Sequence, residues 1–147
     1  MKIFRQELSI KDIDKILVLY NDVFPESLWS KNYLKLFMKS EKAIFIVAEE
    51  RKKIEGFIFG KERNKNLISL DVLGVSEKFR DKKVGTRLMK FFIEKTKEKM
   101  TRGKIIIHFR DSKKSLVYFY SKFGAKNDKI VGKYRNGEYK HQMEIDI

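Results

Sequence analysis

The chain contains no cysteine, a single proline and only two histidines among its 147 residues. Without cysteine it has no disulfide, no thiolate nucleophile and no zinc–thiolate site. Two imidazoles also argue against a histidine-based metal cluster, so we expect no metal cofactor. No apolar run approaches the roughly 18–20 residues that cross a bilayer, and the first residues are too charged for a signal peptide. We therefore expect a cytoplasmic protein without a membrane segment.

Positive charge is what the chain has in excess. Its 34 Lys and Arg residues exceed its 20 Asp and Glu residues, which gives a formal net charge of +14. A hydrophobic share of 42% supplies enough apolar surface for a core, and the length of 147 residues fits one domain spanning residues 1–147. Such a charge predicts a polyanionic ligand: nucleic acid, anionic lipid or a phosphorylated cofactor.

Hydrophobic periodicity predicts the order β-α-α-β-β-β-α-β-α-β-β, which describes a mixed α/β sheet sandwiched by helices. The predicted helices run from a Ser9 N-cap to Val23, from Ser30 to Lys39, from Val84 to Met100, and from Leu116 to a stop at Gly124. The strands with predicted bounds are Met1–Leu8, Ala43–Ala48, Ile54–Gly60, Leu67–Val75, Lys104–Phe109 and Tyr139–Ile147. We predict a β-bulge at Gly74, near the end of its strand.

The segment from Val75 to Leu88 joins a strand to the first turn of a long helix. Backbone N–H groups and the helix dipole converge on an anion at such a junction. Four basic side chains add positive charge there: Arg80, Lys82, Lys83 and Arg87. The segment is neither a Walker A loop nor a Rossmann fingerprint. From these residues alone, a phosphate site and a solvated basic turn are both open.

The same segment resembles the acetyl-CoA-binding motif of the GCN5-related N-acetyltransferase (GNAT) family. The matching positions are Val75, Arg80, Val84 and Gly85, whereas Glu77, Asp81 and Lys83 replace a proline and two glycines of the family pattern. Two further segments match in order. Ser115–Lys126 resembles the family's late helix, with Tyr120 and Gly124 in register, and Tyr134–Met143 resembles an ending common in ribosomal-protein-alanine and related protein N-terminal acetyltransferases.

This resemblance implies a single-domain fold with a mostly antiparallel sheet of about six or seven strands, about four flanking helices, and a V-shaped separation after the central strand. It implies acetyl-CoA as cosubstrate, without a metal. The residues implied to bind it are Leu73, Gly74 and Val75 on the central strand and Arg80, Asp81, Lys82, Lys83, Val84, Gly85 and Thr86 in the loop and first helical turn.

The resemblance also implies the catalytic residues. Tyr120 corresponds to the general acid that protonates the departing thiolate, although it also lies on an apolar helical stripe typical of a core residue. His108 occupies a position that handles the amine proton in protein N-terminal acetyltransferases, and the alternative is a histidine satisfied within the core. Asp71 is the second candidate base. His141 faces the apolar side of the last strand, and we interpret it as structural.

The implied reaction is direct acetyl transfer to a primary amine, and a protein or peptide N-terminal α-amine is the preferred acceptor. An α-amine has a pKa of about 7.7–8.0, against about 10.4 for lysine, so it is much easier to deprotonate near pH 7. Small-molecule amines such as polyamines or aminoglycosides, and lysine side chains, remain alternatives. The remaining charge suggests work near the ribosome or, as a different class, a non-catalytic RNA-binding module.

Overall fold

A computed structural model describes residues 2–25 and 30–147. These residues form four helices, α1 (Ile10–Val23), α2 (Lys31–Lys39), α3 (Val84–Lys99) and α4 (Leu116–Ser121). They also form seven strands, β1 (Ile3–Arg5), β2 (Ala43–Glu50), β3 (Lys53–Asn64), β4 (Leu67–Val75), β5 (Lys104–Arg110), β6 (Lys126–Lys133) and β7 (Tyr139–Asp146). The predicted order of elements is confirmed. No helix in the described ranges is long and apolar enough to cross a membrane.

The first helix begins where its sequence predicts, at a capped serine. The Asp12 carboxylate accepts a hydrogen bond from the Ser9 backbone N–H at 2.7 Å and binds the Arg5 guanidinium at 2.7 and 2.9 Å. The hydrogen bonds from Arg5 hold the pKa of Asp12 well below its usual range. A cap of this kind is worth about 0.5–2 kcal/mol, and here it also ties β1 to α1.

The strands form one sheet in the order β1-β2-β3-β4-β5-β7-β6, and every neighbouring pair is antiparallel except β4 and β5. Alternate residues of the strands feed two separate cores, one on each face. The face under α3 and α4 buries Ile44, Ile58, Leu88, Phe92, Ile105 and Ile145. The face under α1 and α2 buries Ile16, Leu34, Phe45, Phe57 and Phe59. This open, mostly antiparallel sheet of seven strands with four helices has the architecture that the sequence resemblance implies.

The two parallel strands separate part-way along their length. β4 and β5 pair from Leu67 with Lys104 as far as Leu70 with Ile107. Beyond that point β4 continues against β3 alone, whereas β5 continues against β7. The strands therefore open into a V that exposes one edge of residues 71–75 and one edge of residues 108–110, and backbone groups along such an edge are available to a ligand.

The bulge predicted at Gly74 is wrong. Gly74 pairs in register with Phe57, and the extra residue of β4 is Asp71, because Leu70 and Val72 face the consecutive residues Gly60 and Phe59. Gly74 is small for a different reason: a Cβ there would lie 2.9 Å from the Phe57 ring and 3.2 Å from the Phe24 ring. The bulge lies at the mouth of the V, where it sets the direction of the following residues.

Candidate active site

Two cavities meet in the V between β4 and β5. The smaller has a volume of about 200 Å³ and the larger about 510 Å³. Side chains from α1, β4 and the α4 region line both of them: Phe24, Leu73, Lys113, Leu116 and Tyr120. Because these residues form a common wall, a molecule in one cavity lies next to a molecule in the other.

The larger cavity brings together most of the residues predicted to bind the cosubstrate. Its lining includes Leu73, Val75, Arg80, Lys83, Gly85 and Thr86. Gly74 and Val84 do not line it, since Gly74 packs under aromatic rings and the Val84 side chain is fully buried in the core. The side chains of Asp81 and Lys82 lie outside the described part of the chain. Four cations face this cavity, Arg80, Lys83, Lys113 and Lys122, so the lining suits a polyanion.

The loop reaches the start of α3 through a short 3-10 turn, Glu77–Lys82, followed by Lys83 in the left-handed region. Lys83 has φ 59° and ψ 23°, a conformation that glycine adopts without strain and that costs other residues about 1–2 kcal/mol. The missing family glycine is thus replaced by a lysine that keeps the glycine-like backbone. Among the described residues no side chain caps this helix, so the first backbone N–H groups of α3 have no side-chain partner. Gly85 and Thr86 of this first turn line the cavity.

Tyr120 forms the wall between the two cavities. Its side chain is only 4% exposed and packs against the rings of Phe109 and Phe119, with ring centroids 6.0 and 5.2 Å away. Burial raises the pKa of its phenol above the usual value, and the nearby Tyr134 adds to the effect. Tyr120 is therefore both a core residue and a lining residue, and its hydroxyl stays protonated over the whole physiological range.

His108 lines the smaller cavity together with Tyr120 and lies on the exposed face of β5. The alternative of a buried core histidine is excluded by that exposure. Its Nε2 lies 2.9 Å from Gln142 Oε1 on the neighbouring strand. A carbonyl oxygen only accepts, so in the neutral ring Nε2 carries the hydrogen and Nδ1 keeps the lone pair that a base requires.

Asp71 lines the same cavity, but its carboxylate is already engaged. Arg63 Nη2 lies 3.2 and 3.3 Å from its two oxygens, and Arg63 Nε donates to Ser69 Oγ at 2.7 Å. One guanidinium thus binds Ser69 and Asp71 together, as expected for two residues on one face of β4. Arg63 is the extra residue of a second bulge, in β3. The two bulge residues, Arg63 and Asp71, therefore form an ion pair with each other.

Several residues that line the smaller cavity are not predicted as site residues by the sequence. Phe24, at the end of α1, lies under the Lys113 ammonium at 5.2 Å from its ring centroid. Tyr134 lines the cavity from the β6–β7 connection, and the Arg110 guanidinium stacks on its ring at 4.3 Å. Tyr134 belongs to a recognised motif, whereas no local pattern distinguishes Phe24 from its neighbours on α1.

His141 is structural in position, as interpreted, but it is not apolar in its contacts. Its Nε2 lies 2.7 Å from Asp111 and its Nδ1 lies 2.9 Å from Asp128, while its ring stacks on Phe109. The hydrogen bonds to Asp111 and then Asp128 raise the pKa of His141. No three His, Cys, Asp or Glu side chains in residues 2–25 and 30–147 are arranged to hold a metal ion.

The chain is similar to known acetyltransferases. The family model described as "Acetyltransferase (GNAT) domain" matches residues 6–147, so the chain belongs to the GNAT family. No curated protein has significant sequence similarity to it.

Solved structures share the fold at low sequence identity. Ard1 from Thermoplasma volcanium superposes with a TM-score of 0.86 at 20% identity, covering 99% of this chain and 97% of that one. The ribosomal-protein-S18-alanine N-acetyltransferase from Escherichia coli gives 0.82 at 14% identity, covering 100% and 94%. An aminoglycoside 6′-N-acetyltransferase complexed with coenzyme A gives 0.82 at 15% identity, covering 99% and 96%.

Three features of the larger cavity suit coenzyme A. Four cations line it, the uncapped end of α3 opens into it, and the unpaired edge of β4 runs along it. Phosphates suit the first two features, and an amide-containing chain suits the third. Acetyl-CoA use is thus supported by family and by lining, and the acceptor is the open question.

Proposed function

We propose that this protein transfers the acetyl group of acetyl-CoA to the α-amine of a protein or peptide N-terminus. The observation that carries the proposal is the pair of cavities that meet at Tyr120. Six of the ten predicted cosubstrate residues line the larger cavity, and His108 and Asp71 line the smaller one. Acetyl-CoA supplies an acetyl group on a thioester, whose carbonyl carbon bonds to the amine nitrogen as its bond to sulfur breaks.

The two proton transfers fall to different residues. His108 Nδ1 takes a proton from the amine, directly or through one water, because Nε2 is held by Gln142. The Tyr120 hydroxyl donates its proton to the leaving thiolate and recovers one from solvent afterwards. Because burial raises the pKa of Tyr120, its hydroxyl is protonated when the thiolate departs. Asp71 comes second to His108 as the base, since Arg63 holds its carboxylate.

The lining of the smaller cavity supports a peptide over a polycation. Arg110 and Lys113 line it, and its one lining carboxylate, among the described residues, is the Asp71 side chain paired with Arg63. An aminoglycoside or polyamine carries several positive charges and would be repelled by such a lining. A peptide N-terminus presents a single amine whose pKa is already near neutrality, at about 7.7–8.0.

A panel of acceptors tests the proposal. Purified protein and acetyl-CoA are incubated with a peptide that has a free N-terminus, the same peptide blocked at its N-terminus but containing an internal lysine, spermidine, and an aminoglycoside. Mass spectrometry of each product is the readout. We expect acetylation of the free-N-terminus peptide at the α-nitrogen. Faster modification of spermidine, the aminoglycoside or the blocked peptide would overturn the proposed acceptor.

A further inference from the structure

Two cations lie side by side over Tyr134, a residue that lines the smaller cavity. Arg110 of β5 and Lys140 of β7 are direct cross-strand partners in the antiparallel register. Both lie against the ring of Tyr134, with the guanidinium carbon 4.3 Å and the ammonium nitrogen 5.0 Å from the ring centroid. Like charges directly opposite each other destabilise a sheet, so this arrangement has a cost that the fold does not require.

Neighbouring carboxylates only partly offset these charges. Glu138 accepts the Ser112 backbone N–H at 2.7 Å and lies 3.4 Å from Arg110 Nη1, at the edge of hydrogen-bond distance. The hydrogen bond from Ser112 contributes most to lowering the pKa of Glu138 to about 2, so this carboxylate is ionised but already engaged. Asp71 is held by Arg63. Among the described side chains around Tyr134, positive charges therefore outnumber negative charges beside the smaller cavity.

The spacing relates these cations to the reacting amine. His108 and Arg110 lie on the same face of β5, two residues apart, which separates their Cα atoms by about 7 Å. An extended peptide advances about 3.4 Å per residue. When the α-amine lies at His108, the side chain of the second or third acceptor residue therefore reaches Arg110 and Lys140.

We propose that Arg110 and Lys140 select acceptor peptides with an acidic side chain at the second or third residue, which they bind beside the Tyr134 ring. This inference rests on the proposed function, whose acceptor is a peptide N-terminus. The guanidinium offers two parallel donors to a carboxylate, and the ammonium adds a second charge. Tyr134 holds both cations in place without neutralising them.

Three peptides of one length test the inference, with residues 1 and 4 onward identical and residues 2 and 3 as Glu-Glu, Ala-Ala or Lys-Lys. At low ionic strength we expect kcat/KM to be about five- to tenfold higher for the Glu-Glu peptide than for the Ala-Ala peptide, and lowest for Lys-Lys. The preference should shrink as salt is added. Equal rates for Glu-Glu and Ala-Ala peptides would overturn the selection while leaving the proposed function intact. If none of the peptides is acetylated although coenzyme A binds, the proposed function fails, and the selection with it.

Charge-removing variants assign the effect to the two residues. The double variant Arg110→Gln with Lys140→Gln should bring the Glu-Glu and Ala-Ala rates within about twofold of each other. Lys133→Gln is the matched control, because Lys133 also lies over a tyrosine ring, 5.3 Å from that of Tyr139, but Tyr139 lines neither cavity whereas Tyr134 lines the smaller one. We expect this control to keep the full preference. An unchanged preference in a folded double variant, checked by its melting temperature, would overturn the assignment.

Discussion

Tyr120 is both a core residue and a residue that lines the candidate site. As a core residue it packs against Phe109 and Phe119, and as a lining residue it forms the wall between two cavities. Burial fixes the ring of Tyr120 in the core and raises the pKa of its phenol, so the hydroxyl is protonated where it lines the cavities. In the proposed reaction the same residue contributes packing to the fold and a proton to the leaving thiolate.

Replacing Tyr120 by Phe separates the two contributions. The ring and its contacts remain, so we expect the melting temperature and the affinity for coenzyme A to stay close to wild type. Loss of the proton donor should lower kcat about 100-fold or more. Steady-state kinetics together with calorimetry of coenzyme A binding measures both quantities. A kcat within twofold of wild type would remove Tyr120 from the chemistry.

Replacing His108 by Ala tests the base. Below about pH 8 most of an α-amine is protonated and needs a proton acceptor, whereas above it the amine is already neutral. We therefore expect the loss in kcat/KM to be larger at pH 7 than at pH 9, with unfolding little changed because His108 is exposed. A loss of the same size at both pH values would contradict the role of a base.

At the scale of elements, the loop before α3 accommodates an unusual residue. Lys83 adopts the left-handed conformation that a glycine would hold at lower cost, and in return it places a fourth cation at the larger cavity. Asparagine tolerates the same backbone without the charge. Lys83→Asn should therefore weaken coenzyme A binding about three- to tenfold at low salt, and less at high salt, without loss of stability.

Calorimetry at two ionic strengths measures this change. The control is Lys90→Gln. Lys90 lies in α3, the helix that follows Lys83, and lines neither cavity, so this variant should bind coenzyme A like wild type. If Lys83→Asn and wild type bind equally well at low salt, the charge of Lys83 does not contribute to the site.

At the same scale, His141 connects two elements, because its ring binds Asp111 in the turn before α4 and Asp128 in β6. The raised pKa of His141 means that its charged form gains stability from Asp111 and Asp128 on folding. That stabilisation is complete below the unfolded pKa of about 6.5 and is lost as the pH rises through the folded value. His141→Leu should thus destabilise the protein by about 1–2 kcal/mol at pH 6 and by less at pH 9.

Denaturant unfolding at the two pH values checks this expectation. Asp146→Asn removes an exposed ion pair with Lys126 on the same two strands and serves as the control. Because this pair is exposed to solvent, its loss should have little effect at either pH. A His141→Leu effect that does not change with pH would show that packing alone is lost.

The sequence predicts the elements better than the site because the two depend on different information. Strand Leu67–Val75 has the predicted bounds, since its apolar run ends at local signals. The bulge was misplaced because its position depends on pairing with β3, which no local pattern encodes. Motif and alternation predict Tyr120 and His108, which both line the smaller cavity. Phe24 lines it only through packing, and Arg63 reaches Asp71 only through cross-strand register.

At the scale of the whole molecule, the excess of positive charge gains a partial explanation. Cations line the larger cavity, where a pyrophosphate would lie, and a second set surrounds Tyr134 at the smaller one. The two sets flank one cleft in the V between β4 and β5, and Tyr120 lies between them. We infer that cosubstrate and acceptor occupy these two cavities at the same time.

A bisubstrate compound tests that claim most directly. Coenzyme A is joined through a two-carbon bridge from its sulfur to the α-nitrogen of an acidic peptide, and its Kd is compared by calorimetry with those of coenzyme A and the free peptide. Because both cavities share one wall, we expect the conjugate to bind at least about 100-fold more tightly than coenzyme A alone. A conjugate that binds no better than coenzyme A would contradict the account, since the peptide would then lie outside the smaller cavity.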